Sequence, residues 1–134
     1  MSSTFQSTLW QIGVPLTWKA QACNDCVEFT QPEGVGALHI SGAQKTDGPV
    51  LDTETLSQLR ENCPRDAEAE SVICGDFAGY AAAFVDAGDG HYWKKWFLYC
   101  RHVLLFVTYN CRRGEEEFEV PRASALLSSL RCRA

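Results

Sequence analysis

Residues 91 to 111 read HYWKKWFLYCRHVLLFVTYNC, and the fold turns on how this run is read. It holds three of the chain's four tyrosines, two of its four tryptophans and two of its seven cysteines. At the two-residue period of a strand, residues 91 to 100 place Trp93, Phe97 and Tyr99 on one face and Tyr92, Trp96 and Leu98 on the other. Residues 102 to 111 place Val103, Leu105, Val107 and Tyr109 on one face and Leu104 and Phe106 on the other. A sheet with one wet face alternates apolar and polar residues. Here both faces are apolar. The run therefore predicts two central strands covered on both sides, with Trp96, Phe97, Leu104, Phe106 and Val107 in the core. Arg101 and its neighbours make the turn between them, with no glycine to ease it.

Working outward, residues 71 to 74 and 77 to 86 read as strands separated by Gly75 and Asp76, and DAGDG, residues 86 to 90, is a turn. Nearer the N-terminus, residues 26 to 30 and 36 to 41 form a hairpin about Gln31 to Gly34, with Leu38 and Ile40 on one face. Residues 9 to 12 and 16 to 20 are short strands split by Pro15. Between the two β regions, Asp52 is expected to cap a helix that carries Leu56, Leu59 and Cys63 on one stripe and stops at Pro64. Residues 65 to 70 then form a charged, solvated connection.

Beyond the opening stretch, residues 112 to 119 read as a charged turn. Pro121 suits the first position of a second helix, where its missing N–H costs nothing. Ala123, Leu126, Leu127 and Leu130 are the apolar stripe of that helix, and Arg131 and Arg133 suit its negative end. The sum is an α+β protein: an antiparallel sheet of six or seven strands flanked by helices, an α/β/α-type sandwich.

The chain has 134 residues, the length of one domain, and its 46% apolar and 22% charged residues are ordinary for a globular protein. A net charge of -5 argues against nucleic acid or an anionic membrane as the main partner. No Lys or Arg precedes an apolar core in MSSTFQSTLWQIGVP, and the run VLLFV falls far short of the roughly 20 residues that cross a bilayer. The expectation is a cytoplasmic protein without membrane insertion, whose odd number of cysteines are free thiols without a disulfide.

Four segments stand in a recognisable order: LTW (residues 16 to 18), PEGVGALHIS (32 to 41), GDFAGYAAAF (75 to 84), and WFLYCRHVLLFVTYNC (96 to 111) followed by a helix ending in LLSSL. This order resembles the PsbP-like superfamily. That group includes a photosystem extrinsic subunit, a Ran-binding transport factor, bacterial DcrB-type lipoproteins and small type VI secretion accessory proteins. The resemblance implies an antiparallel sheet between helices and a role in binding rather than catalysis. It brings no catalytic motif, and no functional residue is transferred from it. The cysteines at 23 and 26 and the glycine-free turn at Arg101 depart from the pattern.

Of the chemical motifs, ACNDC at residues 22 to 26 is the sharpest. A CxxC pair serves redox chemistry or half of a zinc site. The redox use places the pair at a helix start, but this one precedes the strand VEFT; zinc needs a second pair, but Cys63, Cys74, Cys100, Cys111 and Cys132 are each isolated. No metal and no cofactor are expected. His39 falls on the face opposite Leu38 and Ile40, and a Cys100–His102 dyad is broken by the turn placed between them. Glu115, Glu116, Glu117 and Glu119 read as a solvated turn.

One surface remains. If the two central strands pair antiparallel about residue 101, Tyr92, Trp93 and Lys94 come beside Arg112 and Arg113. Basic residues beside aromatics suit an acidic segment of another protein. Tyr92, Trp93, Lys94, Arg112 and Arg113 are therefore the expected binding residues of a non-catalytic accessory protein, one that could partner a secreted effector. The competing reading is a cysteine-dependent enzyme or metal protein built on Cys23 and Cys26.

Overall fold

A computed structural model describes residues 2 to 133. In chain order the elements are β1 (Ser2–Gln6), β2 (Trp10–Pro15), β3 (Lys19–Ala22), β4 (Val27–Thr30), β5 (Gly36–Gln44), α1 (Asp52–Glu61), β6 (Glu70–Cys74), β7 (Phe77–Val85), β8 (Tyr92–Cys100), β9 (Val103–Cys111), α2 (Glu116–Leu127) and β10 (Arg131–Cys132). Seven strands form one antiparallel sheet in the order β3-β4-β5-β9-β8-β7-β6, and β1, β2 and β10 form a smaller one.

The opening stretch is the centre of the large sheet. β8 pairs with β9 from Tyr92↔Cys111 to Cys100↔Val103, and β9 pairs in turn with β5 from Gly36↔Cys111 to Gln44↔Val103. The inner face carries Val103, Leu105, Val107 and Tyr109 of β9, Trp96 and Leu98 of β8, Leu38 and Ile40 of β5, and Phe29 of β4, all buried. β2 lays Trp10, Ile12 and Val14 on this face, and α2 adds Ala123, Leu126 and Leu127. On the outer face α1 packs Leu59 against Ala82 and Phe97.

The two faces differ in cover, and this corrects one expectation. Trp96, Phe97 and Val107 are buried, but Leu104 and Phe106 are half-buried. α1 sits over β7 and β8, so the outer row of β9 lies beside the helix rather than beneath it. Phe106 compensates by stacking on Phe97, with ring centroids 4.6 Å apart.

The glycine-free turn is tight. Only Arg101 and His102 separate β8 from β9, and Arg101 takes φ 55°, a left-handed conformation that side chains resist. The 45–50 loop braces it: Lys45 N–H donates to His102 O at 2.8 Å and Val50 N–H to Arg101 O at 2.7 Å. His102 Nδ1 meets Gly48 O at 2.8 Å, so the ring is engaged away from Cys100.

Several element boundaries move. β2 runs on through Pro15 and β3 begins at Lys19, because β1 supplies a partner for residues 11 to 15 that the sequence reading did not include. Asp52 is the first residue of α1 rather than its cap; Leu51 N–H donates to Glu54 Oε1 at 3.0 Å, and Asp52 instead accepts from Tyr80 (2.6 Å) and Tyr99 (3.3 Å). α1 ends at Glu61, so Cys63 lies beyond it, half-buried. Residues 65 to 69 are the connection, and Glu70 begins β6.

The largest shift is at the second helix. α2 starts at Glu116, and Pro121 is its sixth residue, within the helix rather than at its start. Glu116, Glu117 and Glu119 occupy the opening turns, where the helix dipole favours negative charge. The helix ends at Leu127, and Arg131 and Arg133 lie past it: Arg131 is in β10, and Arg133 N–H donates to Leu9 O at 2.9 Å. β10 is held from the other side by the turn between β6 and β7, where Asp76 Oδ2 accepts from Cys132 N–H at 3.0 Å.

Candidate functional site

The antiparallel register does bring residues 92 to 94 beside 109 to 111, with Arg112 and Arg113 just past the strand end. The pleat divides them between faces. Tyr92 and Lys94 stand on the inner-face rows of Cys111 and Tyr109, and Trp93 stands on the outer row with Asn110. Trp93 is fixed in place: its Nε1–H donates to Asp89 Oδ2 at 3.2 Å, and Lys95 Nζ lies 5.7 Å from its ring centroid.

The charges at this end are partly answered. Lys94 has a side chain only 15% exposed, lies over the Trp96 ring and reaches Glu70 at 3.4 Å. Arg112 Nε lies 3.8 Å from Glu115. Arg113 is exposed. Burial raises the Tyr92 hydroxyl pKa, with Glu116 adding to the effect.

Residues that sequence reasoning missed lie on the inner side of the same strand. Glu119, expected in solvent, is fully buried. Its Oε1 accepts from the Tyr109 hydroxyl and from Gly36 N–H, each at 2.9 Å. Its Oε2 is buried with no hydrogen-bond donor among the described residues, as is Gln31 Oε1. Burial first, and then the hydrogen bonds to Cys111 and Glu119, hold the Tyr109 hydroxyl far above the ordinary tyrosine pKa. Two glycines make room for this carboxylate. A Cβ at Gly34 would stand 2.1 Å from Glu119 Oε2, and one at Gly36 would stand 2.2 Å from Asn110 O and 2.7 Å from the Tyr109 hydroxyl. The signal was the spacing of Gly34 and Gly36 in PEGVG, which clears one side of the hairpin.

The cysteines are all free thiols. Cys23 and Cys26 close the β3–β4 turn, where Cys23 N–H donates to Cys26 O at 2.7 Å. Burial, the Cys23 thiol and the nearby Glu28 and Asp25 raise the Cys26 pKa. Cys74 and Cys100 are each pushed up to about 11, chiefly by burial. None of these is a lowered, activated thiolate. Among the described residues no three His, Cys, Asp or Glu side chains converge as a metal site, and no helix is long and apolar enough to cross a membrane.

The fold is the PsbP-like α+β architecture that the segment order implied, an antiparallel sheet with helices on both sides. The chain is similar over 98% of its length to the solution structure of cyanobacterial PsbP from Synechocystis sp. PCC 6803, with a TM-score of 0.52, 12% identity and 92% of that chain covered. It is also similar, over 98% of its length, to a crystal structure from Bacteroides thetaiotaomicron VPI-5482, with a TM-score of 0.71 and 14% identity. The match covers 48% of the Bacteroides chain, so this protein spans about half its length. No family model and no curated protein sequence matches the chain.

Proposed function

We propose that the protein is a non-catalytic accessory protein that holds another protein at the open end of the β8–β9 hairpin. One observation carries the reading: the register Tyr92↔Cys111 and Trp93↔Asn110 gathers aromatic and cationic residues at one end of the sheet. Lys94 and Arg112 already have carboxylates near them, so they shape the end, while Trp93 and Arg113 supply contact. An indole already held by Asp89 and Lys95 loses little freedom on docking, which favours affinity. The partner that fits is a protein segment with an acidic residue for Arg113 and an apolar side chain for Trp93. The competing thiol enzyme finds no support at Cys26, whose pKa burial, the Cys23 thiol, Glu28 and Asp25 raise rather than lower.

The test is a comparison of the wild-type chain with Trp93→Ala combined with Arg113→Glu, as bait for partners from the source cells. Loss of a partner at unchanged melting temperature supports the reading. An unchanged partner set refutes it, as does turnover of a substrate in a broad hydrolase or thiol-redox screen.

A further inference from the structure

We propose that Cys23 and Cys26 form a two-sulfur site for a soft monovalent cation, Cu(I). The pairing of β3 with β4 ends at Ala22↔Val27, so both cysteines leave the same four-residue turn. Across that turn the two cysteines are held together, with Cys23 N–H donating to Cys26 O at 2.7 Å. They open onto a cleft of about 400 Å³ between this turn and the β1–β2 connection, whose walls include Thr8, Leu9 and Gly42. Cys23 is exposed, so an ion has a path to it, and Cys26 is half-buried, so the bound ion is partly withdrawn from water.

The ligand count selects the ion. No third His, Cys, Asp or Glu completes a cluster among the described residues. Zn²⁺ takes four ligands in a closed site, so two sulfurs do not satisfy it. A soft d10 monovalent ion is selected by thiolate ligands, and Cu(I) is content with two of them. On binding, each sulfur forms a bond to copper and gives its proton to solvent, with no change of oxidation state. Cys100 and Cys132 are both half-buried, and neither lines this cleft.

The experiment is an anaerobic titration of the reduced protein with Cu(I) against a chromophoric Cu(I) chelator, with a parallel titration by Zn²⁺. The account predicts one Cu(I) withdrawn per chain, with affinity falling at least about 100-fold in Cys23→Ser and in Cys26→Ser. Cys100→Ser should bind as the wild type does. Cys23 is exposed in a turn, so Cys23→Ser decides the matter if Cys26→Ser melts early. The proposal is overturned if the wild type takes no copper from the chelator, if Cys23→Ser retains it, if Cys100→Ser loses it, or if Zn²⁺ binds these cysteines as tightly.

Discussion

Replacing Tyr109 with phenylalanine removes one oxygen and leaves the rest of the ring in place. Tyr109 is fully buried, and its hydroxyl donates to Glu119 Oε1 at 2.9 Å. Removing one partner of a buried hydrogen bond costs about 1 to 3 kcal/mol. The change also relieves the burial of a hydroxyl, so the middle of that range applies, about 2 kcal/mol. For a chain of this length each kcal/mol moves the melting midpoint by about 4 °C, so Tyr109→Phe should melt roughly 8 °C lower. Urea unfolding should show a lower midpoint at an unchanged slope, because the native fold exposes no new surface. Glu119→Ala removes the acceptor for both the Tyr109 hydroxyl and Gly36 N–H, leaving two donors unsatisfied, and should cost more, about 3 to 5 kcal/mol. The double variant should fall short of the sum by about 1 to 2 kcal/mol, since each single change already breaks the shared bond. A loss under about 0.5 kcal/mol for Tyr109→Phe, or coupling near zero, would refute the assignment of Glu119 to the interior.

The outer face gives a graded pair: Phe97→Ala, buried, should cost about 3 to 5 kcal/mol, and half-buried Phe106→Ala about 2, so equal losses in urea melts would contradict the placement of α1. Gly36→Ala should cost about 2 to 3 kcal/mol, because its Cβ would stand 2.2 Å from the Asn110 carbonyl with no flexible group to yield; a neutral result by thermal melt would show that the hairpin can shift. Alkali should destabilise the protein. Cys74 is raised from 9.0 to about 11, and Tyr109 is also raised, so above pH 9 the unfolded chain releases protons that the folded chain keeps. Stability from these groups is complete below pH 9 and is lost as pH rises through the folded-state values, so a melting temperature flat from pH 8 to 11 would count against their burial.

Much of this fold was legible because the central strands are two-faced. The apolar rows of 92 to 100 and 103 to 111 called for cover on both sides; β2 with α2 cover the inner rows, and α1 covers the outer row of 92 to 100 but lies beside that of 103 to 111. The hairpin at Gln31 to Gly34 and the DAGDG turn were legible from turn chemistry. The second small sheet was not. β1 is Ser2–Gln6, a polar segment whose strand character comes from pairing with β2, and β10 is two residues long. The start of α2 was misplaced because four nearby glutamates resemble a solvated turn as much as a first helical turn. Only tertiary packing distinguishes Glu119, which alone among them meets the Tyr109 hydroxyl and Gly36 N–H. At the candidate site the register was readable, but the pleat that separates Trp93 from Tyr92 and Lys94 mattered more, and the carboxylates beside Lys94 and Arg112 come from β6 and the approach to α2.

The central claim is that the end of the sheet around Trp93 and Arg113 holds another protein, and side-by-side affinity capture tests it most directly. The wild-type chain and Trp93→Ala with Arg113→Glu, matched for melting temperature, would be presented to the same extract. The account predicts a discrete protein retained by the wild type and reduced at least about tenfold on the double variant, the loss of roughly 1.4 kcal/mol that a modest hot spot carries. Equal retention of the same protein by both chains would contradict it.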